Sequence, residues 1–354
     1  DYTYKEREGA DAARDARLEL LRDIAAIPPG QDAPLRQFTS RSHETSQIVG
    51  YHKGTFLFLM LRDLLGTPAF DAGLRRFWRD RQFRVASWVD LERTFEEASG
   101  RKLDRFFDQW LSRPGAPRFR IETARVARSG SGYRVWITLA QDEPAFVATV
   151  PVAVTTPTGQ TEYPLDVSGV RQEFVLNVPA RPESATIDPD FRVLRRLDAA
   201  EMPPILRQVI VDPATVTIAA SGEETVRSAA ADLSRALLDY PHALGGAATW
   251  RGDGPLLVIG LSAAVDRFLA RTNLPGRPQQ VGTRGTAQVW TAYQPTGKVL
   301  AVVSAEDADA LRALLRPLPH YGRQSYLIFE GPRVVERGVW PTQPATWRFA
   351  EERP

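Results

Sequence analysis

The stretch that most constrains this chain is Thr55–Leu65, TFLFLMLRDLL. Apart from Thr55 and the pair Arg62–Asp63, every position in it is Leu, Phe or Met. A bilayer-spanning helix needs about 20 apolar residues, so this run is too short to be one. A helix apolar nearly all round belongs at the centre of a soluble domain, with other helices packed around it. Its entrance, Gly50-Tyr51-His52-Lys53-Gly54, is polar, and Gly66 supplies a left-handed stop.

The flanking sequence supplies the partners. Leu18, Leu20, Leu21, Ile24 and Ala25 place a helix over about 9–26, ended by Pro28-Pro29-Gly30. Pro34–Ser46 reads as polar and irregular. Thr67-Pro68 predicts a capping hydroxyl followed by proline in the first turn, with Phe70, Leu74, Phe77 and Trp78 as the buried stripe. Ser87 and Asp90 match a capping box, opening a helix that carries Val89, Leu91 and Phe95 and stops at Gly100. A short helix follows with Leu103, Phe106, Phe107, Trp110 and Leu111, broken by Arg113-Pro114-Gly115. Residues 1–118 are therefore expected to form one helical unit.

At Phe119 the apolar period changes from helical to two. Tyr133, Val135, Ile137 and Leu139 alternate with outward residues, as do Val150, Val152 and Val154, and Phe174, Leu176 and Val178. Turn signals separate these runs, which predicts an antiparallel β-sandwich over 119–196. Residues 197–212 read as a linker. From 213 to 354 strands alternate with helices, an open α/β domain with a C-terminal tail. There Ser221, Ser262 and Ser304 each end a β run and are expected to cap the next helix. Ala287–Tyr293 and Val299–Val303 flank a Pro-Thr-Gly turn and predict a hairpin. Ser325–Phe329 would be the last strand, and the tail from Gly331 would lie over the surface. The fold class is multidomain α+β.

Composition narrows function. Apolar residues make up 43% and charged residues 25%, as in globular proteins. A net charge of +2, with no basic clustering, argues against nucleic acid as a partner. Cysteine is absent, which excludes disulfides, thiolate metal sites and cysteine nucleophiles. No signal peptide or membrane-spanning segment is evident. No G-x-S-x-G, G-x-G-x-x-G or Walker-type phosphate loop occurs. His43-Glu44-Thr45-Ser46-Gln47 nearly matches the H-E-x-x-H helix of zinc peptidases, but Gln47 stands where the second imidazole is needed. The other histidines, His52, His242 and His320, have no ligand spacing, so no metal is expected to bind within this chain. Tyr51 is either an amphipathic anchor, ring in and hydroxyl at the edge, or a catalytic phenol.

Gly50-Tyr51-His52-Lys53-Gly54 and the apolar helix after it resemble the membrane alanyl aminopeptidase family of zinc metallopeptidases, which carries Tyr-x-Lys-Gly at this point. Phe70, Val89-Asp90-Leu91, Ser99-Gly100, Leu103, Phe106-Phe107, Gln109-Trp110 and Pro114-Gly115-Ala116-Pro117 follow the family order at similar spacing. The resemblance covers about 1–195. It implies the helical second half of a thermolysin-like catalytic domain, followed by a β-sandwich. It also implies that Tyr51 stabilises the transition state, that Lys53 and Gly54 support the motif, and that Gly54 lets the helix start close against a neighbour. Asp1-Tyr2 fits the end of the family's zinc-binding segment. The zinc ligands would then lie upstream, in a missing N-terminal catalytic half. The expectation is a C-terminal portion of an aminopeptidase whose full-length form uses zinc on peptide substrates, and which alone is inactive. Its compartment would be extracytoplasmic or membrane-associated. The alternative is a non-catalytic binding or scaffold protein derived from the same fold. Residues 205–354 do not resemble the family's C-terminal helical solenoid.

Overall fold

The computed structural model describes residues 2–40, 44–245, 250, 252 and 254–350. Asp1 and His43, which enter the readings above, lie outside them.

The helical unit opens with α1 (Tyr2–Glu8) and α2 (Ala10–Ala25). A short 3-10 turn, Leu35–Gln37, leads to one continuous helical rod. The rod comprises α3 (Glu44–Gln47), a π-turn (Ile48–Lys53) and α4 (Gly54–Leu65). In α4, Phe56, Leu57, Leu59, Met60 and Leu61 are buried. Gly66, at φ 77° and ψ 151°, ends the rod, its amide donating to Arg62 O. Around it pack α5 (Thr67–Arg81), α6 (Trp88–Ser99) and α7 (Asp104–Ser112). The Ser87–Asp90 capping box of α6 is formed in both directions. Thr67 does not cap α5; Gly66 is the N-cap and Thr67 the first helical residue.

The stripe of α5 is rotated from the expected one. Phe70 and Gly73 are buried, while Trp78 is 67% exposed. The reason is Phe95 of α6: a β-carbon on Gly73 would lie 2.5 Å from its ring, so α5 and α6 approach closely there and Trp78 is turned outward. Val89 is likewise exposed.

The β-sandwich has two antiparallel sheets. The first is β1 (Arg120–Ser129), β2 (Gly132–Ala140) and β5 (Arg171–Val178), in that order; the second contains β3 (Ala148–Thr156), β4 (Gly159–Val167) and β6 (Ser184–Ile187). Val135, Ile137, Leu139, Val150, Val152 and Val154 are all fully buried. Their core is continuous with that of the helical unit.

Residues 197–212 do not behave as a linker. Positions 201–206 are buried throughout, and α8 (Arg207–Ile210) contributes Val209 and Ile210 to the core of the α/β domain. Arg195, 2% exposed, is held by Asp188 at 3.0 Å and by both oxygens of Glu201 at 2.8 and 2.9 Å. A segment that buries paired charge and apolar side chains forms a packed junction.

The α/β domain holds β7 (Val216–Ala219), α9 (Glu224–Leu237), β8 (Leu256–Leu261), α10 (Ser262–Arg271), β9 (Ala287–Tyr293), β10 (Val299–Ala305), α11 (Ala308–Ala313), β11 (Tyr326–Glu330) and β12 (Arg333–Gly338). The sheet order is β12-β11-β9-β10-β8-β7, with β7, β8 and β10 parallel and the remainder antiparallel. Both faces are covered, which explains why every residue of β10 is buried and all but Ser304 are apolar.

The three serines do not cap as expected. Ser221 Oγ accepts from Glu223 N, just before α9 begins. Ser262 is the first residue of α10 and its hydroxyl lies 3.0 Å from that of Ser304. Ser304 is buried inside β10, which runs one residue further, so Asp307 caps α11 instead. The tail is also more than a surface strap. After β12, Trp340 stacks on Tyr326 at 4.8 Å, and β13 (Thr346–Arg348) returns to pair with β6 in the sandwich. No helix of the described residues is long and apolar enough to cross a membrane.

Candidate active site around Tyr51

The site is built by an irregularity the sequence does not announce. Gln47 and Gly54 bracket the π-turn with ordinary helical dihedrals. A π-turn admits one extra residue per turn and re-aims the side chains around it. Here Ile48, Val49, His52 and Lys53 face the interior, while Tyr51 is 56% exposed. Its hydroxyl makes no hydrogen bond to another described residue. Its ring meets the edge of Phe38 at 5.6 Å and 66°. The Thr55 hydroxyl donates to the Tyr51 carbonyl at 2.8 Å.

Each neighbour of Tyr51 is anchored differently. Lys53, 2% exposed, donates to Asp32 and lies 3.5 Å from Ala33 O. Burial pulls its pKa down, and the Asp32 carboxylate opposes that pull. Gly54 has nothing within 4 Å of where a β-carbon would stand, so it starts no helix against a neighbour. Close approach falls on Gly50 instead, where a β-carbon would lie 2.5 Å from the Phe38 ring. The expected reason for Gly54 is thus corrected. Its missing side chain leaves open space one turn from the phenol.

His52 is 8% exposed, with Nδ1 3.5 Å from Asp23 Oδ2. Burial first, then the Arg323 cation, hold its pKa down to about 4 against the opposing pull of Asp23, so it is neutral at pH 7. Asp23 itself is fully buried. Sequence reading passed over Asp23, Asp32 and Arg323. The available signal was Asp23's position between the core residues Leu21 and Ile24, where a carboxylate requires partners.

Two other described histidines, His242 and His320, have different surroundings. His242 Nε2 lies 2.8 Å from Pro213 O, and His320 sits in the 3-10 turn Leu318–Tyr321. Among the described residues, no group of three His, Cys, Asp or Glu is placed to hold a metal ion.

Residues 29–110 match the peptidase family M1 domain. The chain is similar to an aminopeptidase N of Lactococcus lactis subsp. lactis, 40% identical over 67 residues, covering 19% of this chain and 8% of that protein. It is also similar to an aminopeptidase N of Caulobacter vibrioides, 35% identical over 129 residues, covering 33% of this chain and 15% of that protein. The matched part thus spans well under a fifth of either relative. The match runs through Phe38, the π-turn, α4 and α7, so it is the helical unit of this chain that is similar to the M1 aminopeptidases.

Proposed function

We propose that this chain supplies the tyrosine-bearing part of an M1-type aminopeptidase active site, acting on peptides. In this reading the helical unit is the second half of a thermolysin-like catalytic domain. The β-sandwich and the α/β domain follow it, and a missing N-terminal half completes the site. Tyr51 donates its phenolic hydrogen to the oxyanion that develops when the scissile carbonyl is attacked. Gly54 leaves room for the substrate backbone, while Lys53 and Asp32 brace the turn. The zinc ion implied by the family does not fit the donors described here, since no three of them converge. This chain's part in the reaction is therefore assigned to the phenol, and zinc is left to residues elsewhere in the full-length protein.

The observation that carries the reading is an exposed tyrosine on a π-turn inside the segment that matches the M1 domain. The test is hydrolysis of aminoacyl anilides by the full-length protein carrying Tyr51→Phe. Loss of one oxyanion donor is expected to lower kcat about a hundredfold or more, with KM changing little. A Tyr51→Phe enzyme as fast as the wild type overturns the assignment.

A further inference from the structure

The α/β domain has no counterpart in the matched segment, yet it reaches the turn that carries Tyr51. Asp23, on α2, is fully buried and receives two arginines from that domain. Arg207 Nε donates to Oδ1 at 3.2 Å and Arg323 Nε to Oδ2 at 2.7 Å. The same Oδ2 lies 3.5 Å from His52 Nδ1, and Arg323 Nη2 lies 3.5 Å from His52 Nε2. His52 is the residue after Tyr51 in the π-turn.

The two arginines come from one braced corner. Arg207 N donates to Gly322 O at 2.7 Å, and Leu206 N to Gln324 O at 3.0 Å. A β-carbon on Gly322 would meet the Arg207 guanidinium at 3.2 Å, so the arginine passes close to the backbone of the residue before Arg323. One residue further along, Lys53 is held by Asp32. The turn is thus gripped at both residues after the phenol, once from its own unit and once from the α/β domain.

We infer that the α/β domain positions Tyr51: Arg207 and Arg323 hold the Asp23 carboxylate against His52 and so set the orientation of the π-turn. The inference builds on the catalytic reading of Tyr51, and it makes Arg323 a positioning residue. An exposed ion pair would be too weak for this, since such pairs contribute about 0–1 kcal/mol. Asp23 is inside, so withdrawing a guanidinium leaves a buried charge under-compensated and the contact must rearrange.

Amide hydrogen exchange on the full chain tests it. Arg323→Gln is expected to speed exchange over 48–54 by about tenfold or more while exchange in β2 stays unchanged. Arg323→Lys, which keeps the charge and loses the fork, should fall between the two. Arg277→Ala, elsewhere in the same domain, should leave 48–54 as in wild type. The NMR titration midpoint of His52 should also rise in Arg323→Gln, because the cation beside the ring is gone. Should the glutamine variant fail to fold, the lysine variant carries the test. Wild-type exchange over 48–54 in the folded variant, with the His52 midpoint unmoved, overturns the inference. Tyr51→Phe should slow catalysis and leave exchange unchanged, so failure of the catalytic reading and failure of this one remain distinguishable.

Discussion

Phe38 lies so close over Gly50 that a β-carbon at residue 50 would come within 2.5 Å of its ring. The same ring then meets Tyr51 edge-on. Gly50→Ala must therefore displace Phe38 and, with it, the support under the phenol. Overpacking of this kind costs about 1–3 kcal/mol, to be read by urea unfolding of the chain. Gly54→Ala is the contrasting case. Its backbone is helical and its surroundings are open, so alanine should raise stability by up to about 1 kcal/mol. If substrate needs that space, the same variant should raise KM in the full-length enzyme.

The Lys53–Asp32 pair should respond asymmetrically. Asp32→Asn leaves an ammonium group buried without its counter-charge and should destabilise by about 3–5 kcal/mol. Lys53→Met with Asp32→Asn removes both charges and should be far milder. A double-mutant cycle by chemical denaturation checks the difference.

His52 gives the fold a defined pH dependence. Unfolded, the imidazole takes a proton near 6.5; folded, only near about 4. Between those values the unfolded chain binds more protons, so this contribution is complete above pH 6.5 and is lost as pH falls towards 4. The loss amounts to up to about 3 kcal/mol at the acid end. His52→Gln should flatten the stability profile in that window, measured by denaturant midpoints from pH 4 to 7.

In the proposed reading the zinc ligands belong to the other half of the site, so the chain alone, given zinc, should not hydrolyse aminoacyl anilides. Turnover by purified chain above a zinc-only blank would show that this prediction misplaces the reaction.

Much of this was legible from one-dimensional patterns. The alternation of Val150, Val152 and Val154 marks a half-buried strand, and the Ser87–Asp90 spacing marks a helix start, because both rest on neighbours in the chain. Tyr51 is singled out only through resemblance, and its exposure was not legible, since nothing in the local sequence separates a packing tyrosine from an exposed one. The π-turn left no trace, since the residues 48–53 would suit an α-helix equally well. Trp78 misled because the helical period gives a stripe but not its rotation, which the contact of Gly73 with Phe95 decides. Arg323 lies 300 residues from Asp23, and no local pattern can link them. The serine caps failed for a smaller reason: where β10 runs one residue further, the cap passes to Asp307.

The return of Thr346–Arg348 to β6 has a topological meaning. The α/β domain is, in chain order, a long excursion between two neighbouring strands of one sheet. A nascent sandwich therefore exposes the free flank of β6 until Thr346–Arg348 has been synthesised. Cutting the chain after the α/β sheet would reopen that flank, so a shortened form should tend to self-associate through it.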